Sequence, residues 1–227
     1  MAHSHGEWAH NPLSEKIMEL YYSPLSCSLA SRIVAYEANL PLTFTEVDPR
    51  DKRTADGRDY TSIHALGTVP LLRDGDFTLF ESVAILPYLA QKVPAAKLVP
   101  TDPREAAQLA QWLGFVATEL HKTVYVPLLD KKAPPEVQAY ARAKLPLRMG
   151  RLARHLEGRE FVLDAFGVAD AYLVTVLNWS QATGVDLRTW PAVASYFTRL
   201  AVRPSVKRAL AEELVRYRDQ EARHKAA

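Results

Sequence analysis

GTVPLLRDGDFTLFES, residues 67–82, decides the fold. Two apolar runs, 69–72 and 77–80, flank Asp74-Gly75, a dipeptide that favours a tight hairpin. A helical pattern follows over 82–92. Toward the N-terminus, a helical turn is expected over 60–65 and a strand over 42–47. Before them, SLASRIVAYEANL places Leu29, Ile33, Val34 and Ala38 on one helix face, and MELYY at 18–22 reads as a short strand.

The order β-α-β-α-β-β-α predicts a parallel pair joined by a crossover, with an antiparallel hairpin at its side. That is a small α/β domain of thioredoxin type. Toward the C-terminus, 94–103 is proline-rich and ends in Thr101-Asp102-Pro103, a helix start. Beyond it every pattern is helical. Leu109, Trp112, Leu113, Val116 and Leu120 form one stripe, and amphipathic segments follow at 134–156, 168–182, 192–202 and 205–217. The expected architecture is an α/β N-terminal thioredoxin-like domain over 18–96, a linker over 97–104 and an all-α C-terminal domain over 105–227.

Composition narrows the function classes. The chain has 227 residues, 48% hydrophobic and 24% charged, which suits a globular protein. A net charge of +2 argues against nucleic-acid binding through overall charge. The single cysteine excludes an internal disulfide and points to a reducing compartment. No apolar run is long enough to span a bilayer, so no membrane partner is expected. Residues 1–17 lack a signal-peptide core and read as a disordered extension or tag, with His3, His5 and His10 as adventitious metal ligands at most. The expected location is the cytoplasm.

Five features carry candidate chemistry. Cys27 lies where a helix begins. A lone cysteine is more often a small buried hydrophobe, but a helix N-terminus stabilises a thiolate. Tyr22, Ser23 and Ser26 offer hydroxyls in the same turn, with turn hydrogen bonding as the ordinary explanation. Val69-Pro70 precedes a strand; a cis bond there would leave the Val69 backbone free to pair with an extended, peptide-like ligand. Glu81-Ser82, at a strand-to-helix junction, can hold an ammonium and a carboxylate, or serve simply as a helix cap. Lys52 in a charged loop could meet an acidic ligand, and His121-Lys122 could face a cleft between the domains. A solvated charged loop is the usual explanation for the first, and a surface His-Lys pair is the default for the second.

The set is more specific than its parts. It resembles the cytosolic glutathione S-transferases over about 18–217. YYSPLSCSLA (21–30), Lys52 in DPRDKRT (48–54) and ELHK (119–122) are similar to the bacterial beta class, and FGVADAYL (166–173) and VRPSVKRAL (202–210) resemble helix starts of the superfamily. The resemblance implies that Cys27 faces the glutathione sulfur and can form a mixed disulfide with it. It implies that Val69, helped by a cis Pro70, pairs with the cysteinyl backbone. Glu81 and Ser82 would hold the γ-glutamyl end and Lys52 the glycyl carboxylate. His121 and Lys122 would reach in from the helical domain, and Tyr22 aligns with the tyrosine that other classes use. The implied activity is transfer of the glutathione thiol to a small hydrophobic electrophile by a cytoplasmic homodimer, with glutathione as co-substrate and no metal. Thiol-disulfide exchange through Cys27 is the enzymatic alternative. Non-catalytic binding of hydrophobic ligands is the alternative of another class. Trp112, Phe115, Val116 and Trp179 are guesses for the electrophile's walls.

Three departures stand out. Pro87 lies inside a helix and is expected to kink it. Gly167 stands where a capping Ser or Thr is usual, at an expected cost of a few tenths of a kcal/mol. His64-Ala65 replaces a common Asn-Pro.

Overall fold

The computed structural model describes residues 17–226; His3, His5 and His10 lie outside them. Strands β1 (Met18–Tyr22), β2 (Leu42–Glu46), β3 (Leu71–Asp74) and β4 (Phe77–Phe80) form one sheet in the order β2-β1-β3-β4. β1 and β2 are parallel, with Met18 opposite Leu42, and α1 (Leu29–Glu37) makes the crossover. β3 pairs antiparallel with β1 and with β4; Asp74 pairs with Phe77, so the hairpin turns at Gly75-Asp76, one residue later than the expected Asp74-Gly75; Gly75 has the positive φ of +64° that such a turn needs.

α2 (Ser82–Lys92) runs through Pro87 as one helix. After the linker come α3 (Pro103–Phe115), a π-helical stretch (Val116–Tyr125) and α4 (Val126–Leu129). Asp102 caps α3 by accepting from the Arg104 and Glu105 amides, and Pro103 fits the first turn, where no amide donor is needed. α5 (Pro135–Leu156), α6 (Val168–Asn178), α7 (Ser180–Thr183), α8 (Pro191–Ala201) and α9 (Pro204–Ala226) complete the helical part.

β3 begins two residues later than its apolar run suggests, because Val69 and Pro70 lie outside the ladder. The 60–65 turn shortens to a 3-10 turn at Tyr60–Ser62. α9 continues nine residues past the expected end at 217, to Ala226.

The sheet is covered on both faces. Leu20, Tyr22 and Leu72 join Ile33, Ile85 and Leu89 in a core continuous with that of the helical part. Tyr21, Val47, Tyr60 and Leu71 form a small cluster on the other face. α6 is the central helix, with every residue from Val168 to Leu177 buried, which explains its continuous apolar pattern.

Asp170 ties the start of α6 together. Its carboxylate accepts from the amides of Val162 at 2.8 Å and Gly167 at 2.9 Å, and from the Tyr196 hydroxyl at 2.6 Å. Gly167 therefore supplies half of a capping box. A Cβ on Gly167 would lie 2.8 Å from the Leu98 carbonyl oxygen. That oxygen is fixed by the Val168 amide at 3.1 Å. The glycine is thus a requirement of close approach rather than a weak cap. Gly167→Ser, which restores the usual hydroxyl, should destabilise the fold by about 1–3 kcal/mol through overpacking. Thermal denaturation checks this; a raised Tm would mean the cap outweighs the clash.

Candidate active site

The turn ahead of α1 is fixed by contacts from far away in sequence. Leu25 adopts a positive φ of 58°. Its amide donates to Glu213 Oε2 at 2.7 Å, and its carbonyl accepts from Trp179 Nε1 at 2.8 Å. Glu213 is fully buried and paired with Arg32 Nε at 2.8 Å. α9 and the segment after α6 thereby hold the backbone two residues before Cys27.

Cys27 lies one residue ahead of Ser28, the N-cap of α1. Its thiol donates to the Val69 carbonyl at 3.3 Å. The Val69-Pro70 peptide is cis. No partner for the Val69 amide occurs among the described residues.

Three further groups converge on the sulfur. Lys122 draws its pKa down, the negative charge of Glu81 raises it and the Ser82 hydroxyl lowers it. Burial dominates all of them and pushes the thiol up to about 11, although Cys27 as a residue keeps part of its surface. The expectation of a thiolate stabilised by the helix start is therefore not met. The cause is enclosure of the sulfur, which outweighs the favourable field of α1. Ser82 is buried at the start of α2, and Glu81 is exposed with a φ of 70°.

The π-helical stretch brings in His121 and Lys122. His121 is buried, with Nδ1 2.7 Å from the Tyr172 hydroxyl and its ring 4.9 Å from that of Trp179. Burial, followed by the Lys122 charge, pushes it down to about 4, so the imidazole is neutral at physiological pH. Lys122 is exposed and has no ion-pair partner among the described residues. Tyr172 is a residue that sequence reading missed. It shares the fields of Cys27 and Glu81 and the Ser82 hydroxyl, and burial raises its pKa far above the usual phenol range.

Lys52 lies in the loop between β2 and the Tyr60–Ser62 turn. It has a φ of 59°, and its side chain runs against Gly67, whose Cβ, if present, would lie 3.3 Å from Lys52 Cδ. Gly67 thus leaves room for the lysine stem beside Thr68 and Val69. Leu25, Lys52 and Glu81 all hold positive φ without being glycine, a strain that accumulates at ligand sites.

Two candidates do not join this group as catalytic hydroxyls. Tyr22 is buried on the core face of β1, where its ring meets Phe44 and the Arg32 guanidinium, and it lines a groove with Tyr36 and Arg208. Ser26 lies next to Cys27, but its hydroxyl is engaged with Ser28 Oγ at 2.7 Å, and Ser28 Oγ in turn donates to the Ser23 carbonyl. Both serines serve the turn. Of the guessed walls, Trp112 packs on His155 at 4.0 Å and Val116 is fully buried, whereas Trp179 braces the Leu25 turn.

The fold agrees with the family comparisons. The description "Glutathione S-transferase, N-terminal domain" matches residues 18–91, and "Glutathione S-transferase, C-terminal domain" matches residues 115–204. The chain belongs to the glutathione S-transferase family. It is 37% identical over 199 residues to glutathione S-transferase GstA of Escherichia coli O157:H7, covering 86% of this chain and 98% of that one. A glutathione S-transferase of Xanthomonas campestris, GST-4.5, is 35% identical, with the same coverage of each chain. Among solved structures, the bacterial glutathione transferase BphK in a ternary complex superposes with a TM-score of 0.83 at 39% identity, covering 86% of this chain and 98% of that one. A beta class transferase of Sphingomonas chungbukensis superposes at 0.81 with 34% identity and the same coverage. No helix among the described residues of this transferase is long and apolar enough to cross a membrane, and no group of three or more potential metal ligands occurs among them.

Proposed function

We propose that this glutathione S-transferase joins the glutathione sulfur to a small apolar electrophile, with the tripeptide lying across the Cys27–Val69–Ser82 cluster. The observation that carries this reading is the meeting of Cys27 with the Val69 carbonyl, in the combined field of Lys122, Glu81 and Ser82. The unpartnered Val69 amide suits the cysteinyl backbone. Glu81 and the N-terminus of α2 at Ser82 suit an α-ammonium and an α-carboxylate. Lys52, alongside Gly67, suits the glycyl carboxylate.

In this reading the glutathione thiol gives up its proton to water, and the thiolate attacks the electrophile's carbon, forming the S–C bond as the bond to the leaving group breaks and that group departs with its electron pair. Lys122 and the start of α1 supply positive potential where the thiolate forms. A neutral His121 that accepts from Tyr172 at Nδ1 presents Nε2–H as a further donor. We also propose a cytoplasmic homodimer. Phe77 and Phe80 on the edge strand β4 stay 47% and 49% exposed, apolar surface suited to a second copy.

The test is intact mass of the protein after exposure to glutathione disulfide at neutral pH, native against unfolded. Cys27 is the single cysteine, so any adduct is located without mapping. A thiol pushed up to about 11 leaves roughly one molecule in ten thousand as thiolate near pH 7. The native adduct should therefore form more slowly than the unfolded one, while conjugation proceeds. A native adduct that forms faster and is released by reduced glutathione would overturn the conjugation reading in favour of thiol-disulfide exchange.

A further inference from the structure

The end of α9 lies against the loop that carries Lys52. Arg223 donates to Glu46 Oε1 at 2.6 Å, Gln220 reaches the same oxygen at 3.5 Å, and Arg50 donates to Glu221 at 3.3 Å. His224 Nε2 meets Asp48 Oδ2, with both side chains mostly buried. Asp48 organises the loop. Its Oδ1 accepts from the Arg50 amide at 2.8 Å, its amide donates to the Arg53 carbonyl at 2.8 Å, and its carbonyl accepts from the Lys52 amide at 3.1 Å. Lys52 itself holds the φ of 59° that an isolated loop would not favour. One side chain from the last turns of the protein is therefore a single residue removed from the Lys52 backbone.

We propose that His224 is a positioning residue for the glycyl end of glutathione. It holds Asp48, and the Asp48 backbone aims Lys52 at the substrate carboxylate. His224 itself touches no substrate. The inference rests on the assignment of Lys52 made under Proposed function. It also gives α9 two roles, because Glu213 near its middle braces the Cys27 turn.

A double-mutant cycle on the full chain tests it, with calorimetric titration of glutathione and of the analogue whose glycyl carboxylate is an amide. His224→Ala should weaken glutathione roughly 3- to 10-fold, the range of coupled neighbours, and leave the amide analogue unchanged. His224→Gln can still donate to Asp48 and should restore most of the loss. In a Lys52→Ala background, His224→Ala should add nothing. Turnover at saturating glutathione should not change. Arg223→Ala, which breaks the adjacent contact to Glu46, should keep wild-type affinity. The proposal is overturned if His224→Ala binds glutathione as wild type does, weakens both ligands equally, or adds fully to Lys52→Ala. An equal loss in Arg223→Ala would mean that simple docking of the helix end explains the effect. Lys52→Ala without any loss of glutathione affinity would sink the Lys52 assignment, and this inference with it, while leaving the Cys27–Val69 reading standing. Should His224→Ala fail to fold, Asp48→Asn carries the same comparison.

Discussion

Glu213→Ala should cost this transferase about 3–5 kcal/mol of stability, the cost of stripping one partner from a buried ion pair. Glu213 has no exposed side-chain surface, and its partner Arg32 has 7%. The carboxylate accepts from Arg32 Nε at 2.8 Å and from the Leu25 amide at 2.7 Å. Burial pushes the Glu213 carboxyl up while Arg32 draws it down, and the same carboxylate raises Arg32 in return. Alanine would leave a guanidinium enclosed between Tyr22 and Phe44, 4.5 and 3.7 Å from their ring centres. Glu212, 3.4 Å from Arg32 but 40% exposed, can take over only part of the charge. The alanine would also release the Leu25 amide, leaving Trp179 as the remaining long-range hydrogen bond to Leu25 in the turn before Cys27. Glu213→Gln keeps an acceptor for Leu25 and should lose clearly less. Urea denaturation measures both; a loss under about 1 kcal/mol in the alanine variant would mean that Arg32 finds water or Glu212 at little cost.

Asp170→Ala should be comparably severe, about 4 kcal/mol, because it orphans several buried donors at once. The Val162 amide, the Gly167 amide and the Tyr196 hydroxyl all converge on this carboxylate. Val162 is fully buried and Tyr196 is 1% exposed, so water cannot readily replace the lost acceptor. Burial pushes Asp170 up to about 6, against the pull of the three donors. The carboxylate is thus ionised near neutrality because those donors are in place. In a chain of this size the midpoint should fall by on the order of 10 °C. α6 also carries Tyr172, so activity should fall along with stability, whereas an ordinary surface aspartate would show neither effect. Thermal unfolding together with a conjugation assay separates the cases. A Tm within 2–3 °C of wild type, about 1 kcal/mol in a chain of this size, would mean that the start of α6 is held by packing alone.

Local patterns determined much of this protein. The runs at 18–22, 77–80 and 82–92 appear in the structure as β1, β4 and α2 with those bounds, because each is a short periodic segment closed by a turn or cap. Cys27, Val69 and Ser82 were legible as motif residues and lie together, with Glu81 and Lys122 acting on the same sulfur. Gly167 and the residues of positive φ were less legible, since a clash with Leu98 or a strained backbone leaves no mark in sequence spacing.

What tertiary structure decided is of another kind. Tyr21 and Tyr22 are both buried, so alternation along β1 could not say which faced which side. The thiol's pKa followed from enclosure of the sulfur rather than from its place at a helix start. The π-helical phase of 116–125 sets which face His121 presents, so an apolar stripe counted at helical spacing could not show its contact with Tyr172. The last turns of α9 carry almost no apolar residues, and the expected helix therefore stopped short. Those turns are secured by Glu46 and Asp48, more than 170 residues away. Hydrophobic period records how a segment meets water, which is local information. Charge pairing and burial between distant segments depend on where the folded chain brings them, and only the tertiary structure holds that.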